Sequence, residues 1–215
     1  MRDGKRCGEC PATGATVARQ VLEARPVARV EDGRKVLRVG GVIQSVEVDE
    51  RYTADVWDAM LPRRRPASAL ILGLGGGSIA KLMTRRWGRL PITGIERDPA
   101  VVALARREFG LDQFDHLTVV TADAFVWTRM CEQTFDAICV DLYVAGKLAH
   151  GALGAGFLRD VRRLLTPGGE VTFNLWRSAY LDDQTRRIAA HFRIEALDQA
   201  DGNMVVHATR APGHG

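Results

Sequence analysis

The sequence predicts an α/β fold: a doubly wound, mostly parallel sheet that closes in a C-terminal antiparallel hairpin and follows a small N-terminal antiparallel β unit. Three observations predict it. Ala69-Leu-Ile-Leu-Gly-Leu-Gly-Gly-Gly-Ser78 is an apolar run that stops abruptly in glycines. Ile92-Thr-Gly-Ile-Glu96 is a second apolar run, ending in a carboxylate 21 residues after Gly75. From Ser68 onward strand-like and helix-like segments alternate, as parallel strands joined by crossover helices require.

Taken in order, residues 1–25 read as a leader with helical character over Ala15 to Ala24. Residues 26–61 form the small unit: short apolar runs broken by Glu31-Asp-Gly33 and Gly40-Gly41, both hairpin signals, then a helix over Tyr52 to Leu61. Pro62 to Pro66 is a connecting loop, and residues 67–210 form the main domain. Its expected strands are Ala69–Leu72, Ile92–Ile95, Leu117–Val120, Asp136–Val140 and Glu170–Leu175. The helices between and after them are Ser78–Trp87, Pro99–Phe109, Ala124–Cys131, Gly154–Leu165 and Tyr180–Phe192. Thr166-Pro-Gly-Gly169 reads as a turn. Strands Phe192–Leu197 and Met204–Thr209, joined by the turn Asp201-Gly-Asn203, must then run antiparallel to each other.

Bulk properties narrow the function classes. The chain has 215 residues, 46% of them apolar and 26% charged, with a formal net charge of +4; these values suit a globular domain with a real core. Met1 to Arg25 is polar and charged, and no apolar run is long enough to span a bilayer, so a cytoplasmic location with no membrane partner is expected. The arginine pairs fall on predicted helix faces, no nucleic-acid-binding motif occurs, and a nucleic-acid partner is not expected. Cys7-Gly-Glu-Cys10 has zinc or redox spacing but lacks two further ligands, so no metal site is expected.

The strand, glycine turn, helix and acid-ended strand together describe a nucleoside pocket. Glycines let the backbone approach the ligand, and Glu96 is placed to accept hydrogen bonds from ribose hydroxyls. A dinucleotide is the first rival, yet the G-x-G-x-x-G spacing here reads Gly73-x-Gly75-x-x-Ser78. Asp123, just after the third strand, is placed to accept from an adenine amino group, although it could equally cap the next helix. Asp141 ends the fourth strand at the crevice outside the strand carboxyl ends. With the Leu-Thr-Pro-Gly-Gly turn and the closing hairpin, this order of features matches a Rossmann-like, class I methyltransferase-type fold and an adenosyl-sulfonium cofactor, S-adenosylmethionine or its decarboxylated form.

Upstream of the sheet lies Gly41-Val-Ile-Gln44-x-x-Glu47-x-Asp49-Glu50. This segment, with the glycine loop, Glu96, Asp123 and Asp141, resembles the spermidine synthase family of polyamine aminopropyltransferases over about residues 26–210. The resemblance implies that Gln44 contacts the cofactor from the N-terminal unit, that Gly73, Gly75 and Gly77 line the sulfonium and ribose, and that Glu96 and Asp123 hold ribose and adenine. Asp141 takes the place of the aspartate that helps deprotonate the attacking amine. The resemblance also implies a homodimer formed partly through the N-terminal unit.

Three departures bear on the substrate. The family's glycine loop carries an aspartate that holds the aminopropyl amine, and Gly76 stands there; the second acid of its D-x-x-D is Val144; its substrate-side tyrosine falls at Thr53, unless Tyr52 takes that substrate-side place after a one-residue shift. Buried ammonium groups need paired carboxylates. The sequence therefore ranks methyl transfer first: S-adenosylmethionine-dependent, to a small amine or hydroxyl acceptor, with Asp141 as the catalytic acid-base group and Tyr143 as a substrate-side wall. The stretch from Tyr143 to Leu153 would act as a flexible gate, with His150 as an exposed loop residue. Aminopropyl transfer, with the lost acids replaced from Asp49, Glu50 or Asp55, ranks second. A non-catalytic nucleoside-binding module is the third reading.

Overall fold

The computed structural model describes residues 25–49, 52 and 55–210. Residues 1–24 of the leader, with Cys7 and Cys10, and Glu50 and Thr53 lie outside the described residues. A three-stranded antiparallel sheet comes first, made of β1 (Val27–Glu31), β2 (Arg34–Val39) and β3 (Val42–Val46). Both of its turns use two consecutive left-handed residues, Asp32-Gly33 and Gly40-Gly41, the conformation that matches the twist of a tight hairpin. A short helix α1 (Val56–Ala59) links this sheet to the rest.

The main sheet follows the predicted alternation: β4 (Ala69–Leu72), α2 (Ser78–Trp87), β5 (Ile92–Glu96), α3 (Pro99–Phe109), β6 (Leu117–Thr121), α4 (Ala124–Met130) and β7 (Phe135–Val140). A small hairpin of β8 (Tyr143–Val144) and β9 (Lys147–Leu148) comes next, then α5 (Ala155–Leu164), β10 (Leu165–Trp176), α6 (Leu181–Ala189), β11 (Arg193–Ala200) and β12 (Asn203–Thr209). The seven strands lie in the order β11-β12-β10-β7-β4-β5-β6. β10, β7, β4, β5 and β6 are parallel, and β12 pairs antiparallel with both β10 and β11.

Every side chain of β4 is buried, as expected of a central strand covered on both faces. Ala69 and Ile71 pack with Trp57, Met83 and Ala105 from α1, α2 and α3. Leu70 and Leu72 pack on the other face with Leu158, Val161 and Ile188 from α5 and α6. Among the described residues no helix is long and apolar enough to cross a membrane.

Three local expectations are corrected. The helix expected over Tyr52 to Leu61 is only four residues long, because Asp55 is extended (φ −143°, ψ −163°) and caps it by accepting from Trp57 N. The Thr166–Gly169 turn is a bulge inside β10: Leu165 already pairs with Phe135, and the register resumes at Glu170 opposite Ala137. The expected loop after β7 contains the β8–β9 hairpin, turned by Ala145 and Gly146, both left-handed.

The end of β3 and the residue after it are fastened to the glycine loop and to helix α2 at three successive positions. Ser45 Oγ accepts from Gly76 N at 2.7 Å, Val46 exchanges two bonds with Ser78 Oγ, and Glu47 pairs with the buried Lys81 at 3.1 Å. Burial lowers the Lys81 pKa, against the pull of Glu47, and its ammonium lies 5.3 Å from the Phe109 ring centre.

Candidate functional site

The chain leaves β4 to build β5 and β6 on one side and returns to β7 on the other. At such a reversal the connections after neighbouring strands diverge and leave a crevice at their carboxyl ends. Gly73 and Asp141 occupy those two ends. Asp141 N donates to Leu72 O at 2.9 Å, and a Cβ on Gly73 would lie 2.1 Å from Asp141 O. Gly73 also has a φ of 92°, so both the approach and the conformation demand glycine.

One cleft of this crevice is lined by Gln44, Gly73, Gly75, Glu96, Asp98, Asp123, Phe125, Asp141 and Tyr143, among others. Glu96 sits at the end of β5 with one oxygen accepting from Gly75 N at 3.0 Å and the other from Asp98 N at 3.1 Å. Burial raises its pKa, while those amides hold it toward the ionised form. Asp123 caps α4, its Oδ1 accepting from Phe125 N and Val126 N at 2.9 and 3.1 Å, and the same residue lines the cleft. Gly77 is set apart from this group. It is buried, and its Cβ position lies 2.3 Å from Leu111 Cδ2, on the helix-packing side of the loop.

The amides of the loop are already spent. Gly73 N and Leu74 N both donate to Ile95 O, Gly75 N to Glu96, Gly76 N to Ser45 Oγ and Gly77 N to Leu74 O. A pyrophosphate or carboxylate needs free N–H groups aimed at it, and from Gly73 to Gly77 there are none. The loop from Gly73 to Gly77 therefore offers a donor's carboxylate no free amide. The cleft's side-chain charges are carboxylates at Glu96, Asp98, Asp123 and Asp141, set against Arg97.

A second cleft, about 700 Å³ in volume, adjoins the first and shares Gln44, Asp141 and Tyr143 with it. Its other walls include Arg34, Arg38, Asp55, Trp57, Asn174, Trp176, Asp201 and Asn203. Asp141 stands where the two clefts meet, and both its oxygens are held: Trp57 Nε1 donates to Oδ2 at 3.1 Å and Asn174 Nδ2 to Oδ1 at 2.9 Å. Burial raises the Asp141 pKa, the two donors oppose that, and the nearby charge of Glu96 adds to it. Arg38 is tied to Glu31 through two 2.7 Å bonds, and Arg34 lies over the Tyr52 ring at 5.4 Å.

The two tyrosines differ. Tyr143 lines both clefts, its hydroxyl donating to Asn174 O at 3.2 Å, and burial raises its pKa. Tyr52 is absent from both linings and instead donates to Asp55 Oδ1 at 2.6 Å, steadying an acid that does line the second cleft. His150 is exposed. At the family-aspartate position, a Cβ on Gly76 would sit 2.8 Å from Ser45 Cβ, so the N-terminal sheet occupies the room a side chain would need. Val144 lines the first cleft from the β8–β9 hairpin.

Sequence reasoning missed Trp57, Asn174, Asp201 and Asn203. Trp57 and Asn174 reach Asp141 across 84 and 33 residues, and neither belongs to a local motif. One signal was present: a polar Asn174 within an otherwise apolar Phe-Asn-Leu-Trp strand, where a buried amide must find a partner.

Comparison with known proteins agrees with the fold and the resemblance. Residues 69–169 match the family model described as a methyltransferase domain. The chain is 27% identical over 169 residues to a polyamine aminopropyltransferase of Chromobacterium violaceum, covering 74% of this chain and 65% of that one. A probable polyamine aminopropyl transferase of Bifidobacterium longum is 31% identical over 138 residues, which are 62% of this chain and 30% of that one. The chain thus spans between about a third and two thirds of these curated relatives. The crystal structure of a probable spermidine synthase from Corynebacterium glutamicum superposes with a TM-score of 0.67 at 15% identity, over 86% of this chain and 76% of that one; at that identity the likeness is one of fold.

Proposed function

We propose that this spermidine synthase-like chain, on the class I methyltransferase fold, transfers a group from an adenosyl-sulfonium donor to a small amine. Aminopropyl transfer from decarboxylated S-adenosylmethionine is the preferred chemistry. The observation that carries this reading is the place of Asp141, a carboxylate held from two sides where the cleft beside the glycine loop meets a second cleft. The sequence alone ranked methyl transfer first. Two things reverse that order: the relatives are polyamine aminopropyltransferases by name, and the loop offers a donor carboxylate no free amide. A donor without that carboxylate carries only cationic groups, which suit the acids lining the first cleft.

The residues divide the work. Glu96 would hold the ribose hydroxyls, Asp123 would face the adenine, and Gln44 would reach in from β3. When bound, the donor supplies an electrophilic carbon next to a sulfonium that leaves as a thioether. An amine must shed its proton to attack, and Asp141 Oδ1 and Oδ2 are the acceptors within reach of both clefts. Positioning in adjoining clefts would supply most of the remaining acceleration. Trp57, Tyr143 and Trp176 give the second cleft aromatic walls, which favour an ammonium-bearing acceptor.

Methyl transfer from intact S-adenosylmethionine is the second reading. One observation favours it: Gly76 provides no acid for an aminopropyl amine, and Ser45 fills that space. Product analysis separates the two. With a diamine present, the decarboxylated donor is expected to yield methylthioadenosine and an elongated polyamine. S-adenosylhomocysteine formed from the intact donor would select the second reading, and turnover of neither donor would leave the nucleoside-binding module.

Glu96→Ala is expected to weaken methylthioadenosine binding by about 1.5–3 kcal/mol, the scale of lost hydrogen bonds to a charged acceptor. That is roughly a 10- to 150-fold change in Kd by calorimetry. The substitution also removes the acceptor of Gly75 N and Asp98 N, so the loop itself loses support. Unchanged affinity would remove Glu96 from the site.

A further inference from the structure

Behind Asp141 lies a chain of two amides with a single direction. Asn203 Nδ2 donates to Asn174 Oδ1 at 2.8 Å, and Asn174 Nδ2 donates to Asp141 Oδ1 at 2.9 Å. The direction follows from the end member: an ionised carboxylate only accepts, so Asn174 must turn its NH₂ toward it. Its oxygen then faces Asn203, which must in turn present NH₂. The cost falls at the far end, where Asn203 Oδ1 is buried with no hydrogen-bond partner among the described residues. An orphaned buried acceptor calls for an explanation, and the polarity of the chain supplies one. Asn203 opens β12 opposite Trp176, directly after the Asp201-Gly202 turn, so the hairpin fixes its backbone.

We propose that Asn203 is a positioning residue for Asp141: by orienting Asn174 it keeps an N–H donor turned toward the carboxylate and so favours the ionised form. Its consequence for catalysis rests on the amine-transfer reading above, whereas its effect on Asp141 itself does not. Other titratable groups stand near Asp141: Glu96 on β5, whose charge raises its pKa, and Tyr143 on β8 and Cys139 on β7, whose own pKa values are raised partly by Asp141. Asp55, Asp201, Arg34 and Arg38 share the second cleft, and Asp98, Asp123 and Arg97 the first. All of these stay in place in the test, so they set a common background.

Asp141 carries its own reporter, because the Trp57 indole N–H donates to its Oδ2. The indole proton and nitrogen shifts can be followed against pH in the protein without ligand, with Trp57→Phe assigning the signal among the four tryptophans. Asn203→Asp is the same size but cannot donate when ionised, so it forces Asn174 to turn its oxygen toward Asp141. The midpoint of the indole transition is expected to rise by on the order of one pH unit. A new charge at position 203 could act directly through space, and a double-mutant cycle separates the two routes. In an Asn174→Leu background, most of the shift caused by Asn203→Asp should vanish; an equal shift in both backgrounds, or none in either, overturns the proposal. Asn203→Leu adds no charge and serves if the aspartate variant does not fold: a smaller rise in the same direction supports the relay, and an unmoved midpoint overturns it. Where transfer is measurable, the acid limb of kcat/KM should move with the indole transition.

Discussion

Asp141→Asn is expected to lower the rate of group transfer by about 10²- to 10⁴-fold, the range typical of losing a positioned general base. Binding of methylthioadenosine should change little, because Glu96 and the glycine loop are untouched. The fold should persist as well. An asparagine at 141 would present its NH₂ to either Trp57 Nε1 or Asn174 Nδ2, and Asn174 can turn its amide to receive it. The wild-type pH profile carries the same argument. Burial raises the Asp141 pKa above the ordinary carboxylate value, so the competent, ionised form is gained as pH rises through that raised value and lost below it. The variant should lack this acid limb. A residual rate within threefold of wild type, with the limb intact, would show that another group takes the proton.

The same pKa has a thermodynamic side. A buried acid with a raised folded-state pKa binds its proton more readily in the native than in the unfolded chain. Its ionisation therefore costs native stability, the cost growing as pH rises from the unfolded value to the folded one and staying in full above it. Ionising Asp141 thus costs the fold stability, and the Asn174 and Trp57 hydrogen bonds, which lower its pKa, offset part of that cost.

What the sequence made legible is what local chemistry determines. The run into Gly73, the acid at Glu96 and the Asp141 strand end each announce themselves within a few residues, because a strand, a glycine turn and a helix cap are short-range events. The hairpin turns at Asp32-Gly33 and Asp201-Gly202 were legible for the same reason. Errors came where tertiary pairing overrode local signals. Pro167-Gly-Gly169 has turn chemistry, yet pairing of Leu165 with Phe135 draws it into a strand as a bulge. The second cleft was invisible because Asp55, Asn174 and Asp201 come from three distant segments. The partner of the Gly76 amide was hidden in the same way, because Ser45 belongs to a sheet 31 residues upstream and no local pattern reports it.

Gly73→Ala is expected to be among the most destabilising single methyl additions in the chain. Its φ of 92° is a conformation L-residues rarely adopt, which alone costs of order 1–3 kcal/mol. The new Cβ would also lie 2.1 Å from Asp141 O and 2.9 Å from Asp141 C. Those are backbone atoms fixed by the bond from Asp141 N to Leu72 O, so no side chain can swing aside. Together these put the loss at about 3–5 kcal/mol, or roughly 6–20 °C in Tm at the scaling for a chain of this size. Gly33→Ala is the matched control, since its φ is 76° and nothing lies within 4 Å of the added atom; conformational strain alone should cost it about 1–3 kcal/mol. The difference between the two melting shifts isolates the close approach of the β4 and β7 ends. Whatever stability Gly73→Ala retains must come from pushing the Asp141 backbone outward, which would also move its carboxylate relative to Trp57 and Asn174. Transfer activity should therefore fall further in Gly73→Ala than in Gly33→Ala even at temperatures where both are folded. Equal melting losses and equal activities would show that the two strand ends separate freely and that the crevice does not depend on their contact.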